Sequence, residues 1–492
     1  MELTLIMNQS NKSISELTKV LKEAIGKTPP NGNPLVSHKF GADPYPLIYQ
    51  DRVYLYATND EIEYDENGDV TDNTYAGINT LTVISSSDLV NWTDHGEIPA
   101  AGPDGAAKWA KNSWAPAITQ KVIDGKDKFF LYFANNGSNI GVLTADSPLG
   151  PWTDPIGQPI ISRETPGVDG VPWIFDPAVL VDDDGTGYLY FGGGIPDEEY
   201  EMPNTARVIQ LSDDMILTVG EAKPIPAPFM FESGGINKYN GRYYYSYCSN
   251  FYTSDRPAGV PGAGEIAYLT SDHPMGPWTY QHAILKNPGY FFNVSGNNHH
   301  AIFEFKGTWY ISYHAQTLSA AMGIEKGYRS THLNKIYFDE EGQIEPIQAD
   351  LQGVEKVKNL NPYETMEAVT MAWQAGINVS KPSDTNFNEH DRVVSEIKQG
   401  AWLAVSSADF EHAAKECVVH LASETEGVSI EIRLDSIDGQ IVGQVDVPNT
   451  GGKWKELSFP VEVDKGIHDV YFVFKGDTNQ SLFELASWSF NK

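Results

Sequence analysis

A unit recurs five times between residues 40 and 350, and it limits the folds open to this chain more than any other feature. Each copy has a polar or acidic residue, a short apolar strand, a turn, and then an aromatic strand. The first reads Asp43-Pro-Tyr-Pro-Leu-Ile-Tyr followed by Arg52-Val-Tyr-Leu-Tyr-Ala. Later copies open at Trp114, Asp176, Glu232 and His299, at intervals of 71, 62, 56 and 67 residues. A third strand follows in the unit, for instance Ile140-Gly-Val-Leu-Thr-Ala, and then a turn bearing Trp92, Trp152 or Trp278. Those three tryptophans share one slot, and packing between units is the expected role. Four short strands per unit and five units predict an all-β fold, a five-bladed β-propeller with blades set around a channel. A β-sandwich would leave a recurring unit of this length unexplained. Uneven spacing suits loops of varying length on one face, where function usually sits.

In a propeller the first strand of every blade lines the channel, so the five openings converge at its mouth. Their identities are Asp43, Trp114, Asp176, Glu232 and His299. A lone blade-start Asp is readily explained as a turn cap. Three carboxylates in one poorly solvated place raise one another's pKa, which proteins tolerate mainly where chemistry needs it. Glycoside hydrolysis has that need: one carboxylic acid protonates the leaving oxygen, and one carboxylate activates water or attacks.

Composition narrows the partners. A net charge of −32 argues against nucleic acid and anionic membranes, both of which call for a positive surface. With 41% hydrophobic residues the chain is globular, and its 25 Tyr and 11 Trp suit both sheet packing and stacking on sugars. Cys248 and Cys417 lie far apart, so neither a disulfide framework nor a CxxC motif is present. No apolar run approaches a membrane span. Leu3 to Met7 is too short, and lacks the basic flank, for a signal peptide. A helix is expected from the Ser13 and Glu16 capping spacing, with Ile14, Leu17, Val20, Leu21, Ala24 and Ile25 on one face, ending at Gly26. A cytoplasmic location is the direct expectation; a secreted protein already freed of its signal would look the same.

The chain resembles glycoside hydrolase family 43 over roughly residues 33–350, within a propeller domain expected at 33–355. The carriers are Ala42-Asp43-Pro44-Tyr45, Ser113-Trp114-Ala115-Pro116, Phe175-Asp176-Pro177 and Phe231-Glu232-Ser233, in that order and blade placement. The resemblance implies inversion of configuration, with Asp43 as general base, Glu232 as general acid and Asp176 raising and orienting the acid. Gly234-Gly235 departs from the bulkier residues common there and is expected to open room near the leaving group. Within the family, Asn297-Asn298-His299-His300, Tyr313-His314-Ala-Gln316 and Tyr328-Arg329-Ser330 are similar to arabinofuranohydrolases acting on arabinoxylan. That likeness puts Trp114, Trp173 and Phe251 in the wall of a sugar pocket, and Arg329 with Asn297 or Asn298 on the sugar hydroxyls. Core packing is the plain alternative for Trp173, and a surface ion pair for Arg329. The likeness also implies a structural calcium or sodium ion in the channel, held by His299 or else His300, with no cofactor for the chemistry.

After Asn359-Leu-Asn-Pro362 the repeat stops. Alternating strands such as Val428-Ser-Ile-Glu-Ile-Arg-Leu predict a β-sandwich (jelly roll) over 360–492, with residues 1–32 as a helical extension. The tail resembles carbohydrate-binding module family 6 through Tyr363-Glu-Thr-Met-Glu367-Ala, Gly451-Gly-Lys-Trp454 and His468-Asp-Val-Tyr-Phe-Val-Phe. Val369 replaces one of two acidic calcium ligands usual there, and Trp454 has either sugar stacking or packing open to it.

The leading expectation is an inverting α-L-arabinofuranosidase acting on plant cell-wall arabinoxylan or its oligosaccharides. A β-xylosidase or bifunctional enzyme uses the same carboxylates, and a non-catalytic sugar-binding propeller is the alternative from another class.

Overall fold

The computed structural model describes residues 21–195, 204–252, 256–382, 384, 387–477 and 480–492. The expected amino-terminal helix lies mostly outside them; within them helical geometry has ended after Leu21, and 22–26 form turns and bends. No helix of the described residues is long and apolar enough to cross a membrane. Contacts divide the chain into two compact units: Lys39–Val83 with Glu97–Val354, and Met1–His38 with Ile84–Gly96 and Glu355–Lys492.

The first unit is the five-bladed β-propeller. Its first sheet begins with β1 (Ala42–Tyr49), β2 (Arg52–Thr58) and β3 (Thr80–Ser86); β4 is Trp92–Pro99. The second sheet is β5 (Trp114–Ile123), β6 (Lys126–Asn135) and β7 (Asn139–Ala145). The third runs β8 (Ala178–Val181), β9 (Gly187–Phe191), β10 (Ala206–Leu211) and β11 (Thr218–Ile225). The fourth runs β12 (Met230–Tyr239), β13 (Arg242–Ser249), β14 (Ile266–Ser271) and β15 (Thr279–Leu285). The fifth is β16 (His300–Phe305), β17 (Thr308–Ala315) and β18 (Ser330–Ile336), and β1 lies against all three of its strands, closing the ring.

Four strands per blade was too regular an expectation. In the second blade the outermost position holds only the isolated bridges Thr144 to Thr153 and Ile140 to Ile161. Pro151, Pro155 and Pro159 interrupt that stretch, and proline has no N–H to give a ladder.

The aromatic second strands join successive blades. Tyr132 donates its hydroxyl to the Met215 carbonyl at 2.7 Å, Tyr190 to the Pro274 carbonyl at 2.7 Å, and Tyr56 to that of Pro148. Two of the three turn tryptophans, Trp152 and Trp278, pack between blades as expected. Trp152 meets Tyr56 edge-on at 6.4 Å, and Trp278 meets Tyr190 edge-on at 6.3 Å. Each tryptophan thus seals its blade against the one before, and the hydroxyls stay satisfied in an apolar seam.

The second unit holds a curled β-sheet that forms the sandwich. Ala414–Ala422, Lys455–Val463 and Glu484–Asn491 make one side; Trp402–Phe410, Val428–Leu434 and Gly466–Lys475 make the other. Leu403, Ile430, Phe472, Leu485 and Trp488 fill the core between them. The start of the chain is part of this unit: Trp402 donates its indole N–H to the Leu21 carbonyl at 2.8 Å, and Trp373 to that of Asn31 at 2.9 Å. Trp454 contacts Phe387 at 4.8 Å and His420 at 5.4 Å, an aromatic cluster rather than an isolated ring.

Candidate active site

The blade openings bring Asp43, Trp114, Asp176, Glu232 and His299 to the wall of one cavity in the propeller unit, about 320 Å³ in volume. That is the scale of a small-molecule site. Trp173, Phe251, Asn297 and Arg329 line it too, so most of the residues expected from the sequence meet there. Trp173 stands at the rim, 37% exposed, edge-on to Phe175 and Phe231. Asn298 is the exception. Its amide donates to the Gly264 carbonyl at 3.2 Å, so the side chain braces backbone instead of facing sugar.

Backbone geometry turns the carboxylates inward. Asp43 and Asp176 have φ of 54° and 50°, and Ser233, next to Glu232, has φ of 64°. Pairing registers slip between Ala42 and Tyr45 and between Glu232 and Gly235, so these residues sit on bulges that re-aim side chains.

Asp43 is held on several sides. Thr58 donates its hydroxyl to Oδ2 at 2.6 Å, and Arg329 Nη1 donates to Oδ1 at 3.2 Å. His299 Nδ1 lies 3.2 Å from the same oxygen and 3.5 Å from Asp176 Oδ2. His314 accepts the Asp43 backbone N–H at Nδ1 and meets the Asn297 carbonyl through Nε2. Burial by itself would raise the Asp43 carboxyl, but the Arg329 guanidinium and then His299 outweigh it and hold it well below the usual carboxylate range. Burial and Asp43 push Asp176 the other way, to about 8, against a hydrogen bond from the Ser233 N–H at 2.7 Å. Glu232 is raised well above its ordinary value by burial, then by Asp176 and Asp43. Its Oε1 is buried with no hydrogen-bond partner. One ionised carboxylate therefore faces two that favour a proton, the separation that acid and base roles require.

Arg329 is not a surface charge. It is 4% exposed, and Nε and Nη2 both donate to Asp60 at 2.8 Å while its backbone N–H donates to Asp60 at 3.0 Å. The face of Tyr75 lies 4.9 Å from the guanidinium carbon. Asp60 and Tyr75 escape a sequence reading because neither opens a blade. Phe175, Phe231 and Gln316 also line the cavity; each belongs to one of the family motifs, but nothing in the sequence assigned it to the wall.

The room expected beyond the acid is filled by the protein itself. A Cβ on Gly235 would stand 2.7 Å from Ser246 Oγ and 3.2 Å from His300 Nε2; one on Gly234 would stand 3.3 Å from the Asp176 carbonyl oxygen. The channel ion implied by the likeness needs only one histidine and waters, and the described residues do not confirm it. No group of three or more His, Cys, Asp or Glu among the described residues could hold an ion. His299 Nδ1 faces carboxylates, and both nitrogens of His300 bond serine hydroxyls, so His300 has no ring nitrogen left for an ion.

Residues 32–344 match the profile described as glycosyl hydrolases family 43. The chain belongs to that family. Residues 367–492 match carbohydrate binding module family 6. As a family 43 protein it is 50% identical to an arabinoxylan arabinofuranohydrolase of Paenibacillus polymyxa, over 95% of this chain and 75% of that protein. It is 51% identical to an arabinoxylan arabinofuranohydrolase of Bacillus subtilis, over 94% of this chain and 93% of that protein. A crystal structure of a family 43 arabinoxylan arabinofuranohydrolase from B. subtilis with cellotetraose superposes with a TM-score of 0.92 at 51% identity, covering 96% of this chain and 99% of that one. The family 43 chain is thus a glycoside hydrolase.

Proposed function

We propose that this enzyme removes α-L-arabinofuranosyl side chains from arabinoxylan or its oligosaccharides with inversion at the anomeric carbon. The observation that carries the reading is the opposite tuning of carboxyls in one cavity: Asp43 driven toward its ionised form, Glu232 toward its protonated form. The names of the two relatives at about half identity supply the sugar; the word xylosidase enters only at lower identity, as in the 30% identical xylosidase/arabinosidase 43A of Humicola insolens.

In the mechanism Asp43 takes a proton from water, whose oxygen bonds to the anomeric carbon. Glu232 gives its proton to the glycosidic oxygen as the bond to the xylan backbone breaks. Burial, with Asp176 and Asp43 nearby, raises Glu232, so the acid keeps its proton until then. Arg329 holds Asp43 ionised, and Trp114, Trp173 and Phe251 exclude water around the ring. These steps need carboxyls and water, and none passes through a metal ion.

The test offers wheat arabinoxylan, xylo-oligosaccharides and linear arabinan in parallel and follows the anomeric proton of the released sugar by NMR. Arabinose appearing first as the β anomer from arabinoxylan is the expected result. Xylose alone would transfer the reading to a β-xylosidase, and the α anomer of arabinose would overturn the assigned roles.

A further inference from the structure

Glu232 sits on a bulge, and something has to keep that bulge in shape. The register of β12 on β13 slips between Glu232 and Gly235, and Ser233 within it has a φ of 64°. A non-glycine residue in this region persists when its surroundings over-determine it. For Ser233 those surroundings are Asp176 on its N–H and His300 on its hydroxyl. The Ser233 hydroxyl lies 3.0 Å from His300 Nδ1 and accepts the His300 backbone N–H at 3.0 Å. On the other side of the ring, His300 Nε2 lies 2.6 Å from the hydroxyl of Ser246 on β13. The ring is fully buried, and a neutral imidazole can bond one hydroxyl as donor and the other as acceptor, so the bridge requires no charge. Gly235 pairs with Ser246 across β12 and β13, and its missing side chain leaves the space in which His300 and Ser246 meet.

We propose that His300 is a positioning residue that clamps the Ser233 bulge to Ser246, fixing the aim of the Glu232 acid and of the Ser233 N–H that holds Asp176. The proposal rests on the reading of Glu232 as general acid. It gives the second histidine of Asn297-Asn298-His299-His300 a task separate from that of His299, which faces Asp43. It also explains why small residues follow the acid: a side chain at 235 would expel the clamp.

The role has a signature that loss of packing lacks. Misaiming the acid slows substrates whose leaving group needs a proton and spares those whose leaving group does not. The variants are His300→Gln and Ser233→Ala, assayed as full-length enzyme on wheat arabinoxylan and on para-nitrophenyl α-L-arabinofuranoside. Each is expected to lose about 10–100-fold in kcat on arabinoxylan, the scale of an ångström of misplacement, and less than about threefold on the nitrophenyl substrate. Circular dichroism checks folding, and Ser233→Ala decides the matter if His300→Gln does not fold. Equal losses on both substrates, or no loss on either, would overturn the clamp. Wild-type enzyme releasing arabinose from neither substrate would instead overturn the proposed function, so the two failures are distinct.

Discussion

The grip of Arg329 on Asp43 can be tested without stranding Asp60, the second buried partner of the guanidinium. Replacing Arg329 alone would strand the Asp60 carboxylate, whose side chain is fully buried, at about 3–5 kcal/mol of stability. The double variant Asp60→Asn with Arg329→Gln deletes one charge of each sign; Asn keeps the shape of Asp, and Gln is shorter than Arg. At 3.2 Å and an effective dielectric near 20, the lost attraction on Asp43 is about 5 kcal/mol. The repulsion of Asp60 disappears with it, so the net loss is smaller; an opposite charge at this range lowers a carboxylate by about 1–3 pH units. The sign follows from the role. A general base must be ionised, so activity falls as pH drops through its pKa; wild-type Asp43, held low, puts that limb below the ordinary carboxylate range. The acid limb of kcat/KM, which reports the free enzyme, is therefore expected about 1–3 pH units higher in the double variant. His299, His314, Thr58, Asp176 and Glu232 also face Asp43 and remain in both proteins. Lost contacts to the sugar would lower kcat/KM at every pH and leave the limb where it was. A limb that stays put, or moves down, would refute the account of how Asp43 is kept ionised.

Glu232→Gln should lose about 100-fold or more on arabinoxylan and recover much of it on para-nitrophenyl arabinofuranoside, whereas Asp43→Ala should lose turnover on both, as steady-state rates will show. Trp278→Ala empties the seam beside Tyr190 and Tyr245 and should destabilise the propeller by about 3–5 kcal/mol in denaturant melts, with little change in KM. Lys27 is buried with the Leu35 carbonyl as acceptor at 2.7 Å, and burial lowers its pKa to about 7. Because the unfolded chain binds the extra proton between that value and about 10.5, stability should rise with pH across this window. Lys27→Met should accordingly raise the melting temperature at pH 6 far more than at pH 10, measured by calorimetry.

The propeller was legible because each blade repeats one strand order and opens on a residue of distinctive type. The same regularity made Asp43, Asp176 and Glu232 legible as a group: strands of equal rank line the channel, so residues at equal rank meet. Outside that rank the sequence carried less. Asp60 follows β2 and reaches Arg329 from 269 positions away, a pairing that only the closed ring creates. The glycines after Glu232 read as empty space because a sequence shows the absent side chain but not what moves in. Val369, read as a missing calcium ligand, is simply buried in the sandwich core.

The left-handed residues at the channel mouth have one more member than the chemistry needs. Ala115, beside Trp114 in the second blade, has a φ of 39°, alongside 54° at Asp43, 50° at Asp176 and 64° at Ser233. Each such residue costs on the order of 1–3 kcal/mol, and Ala115 carries the strain with no reacting group of its own. The bend therefore recurs in four of the five blades, whether or not a reacting group stands at it. Where a blade carries it, the mouth is already turned inward, and the residue seated there decides whether that mouth offers a proton, a charge or a flat ring. New specificity in such an enzyme can come from one codon at a mouth, while the backbone that aims it is left untouched.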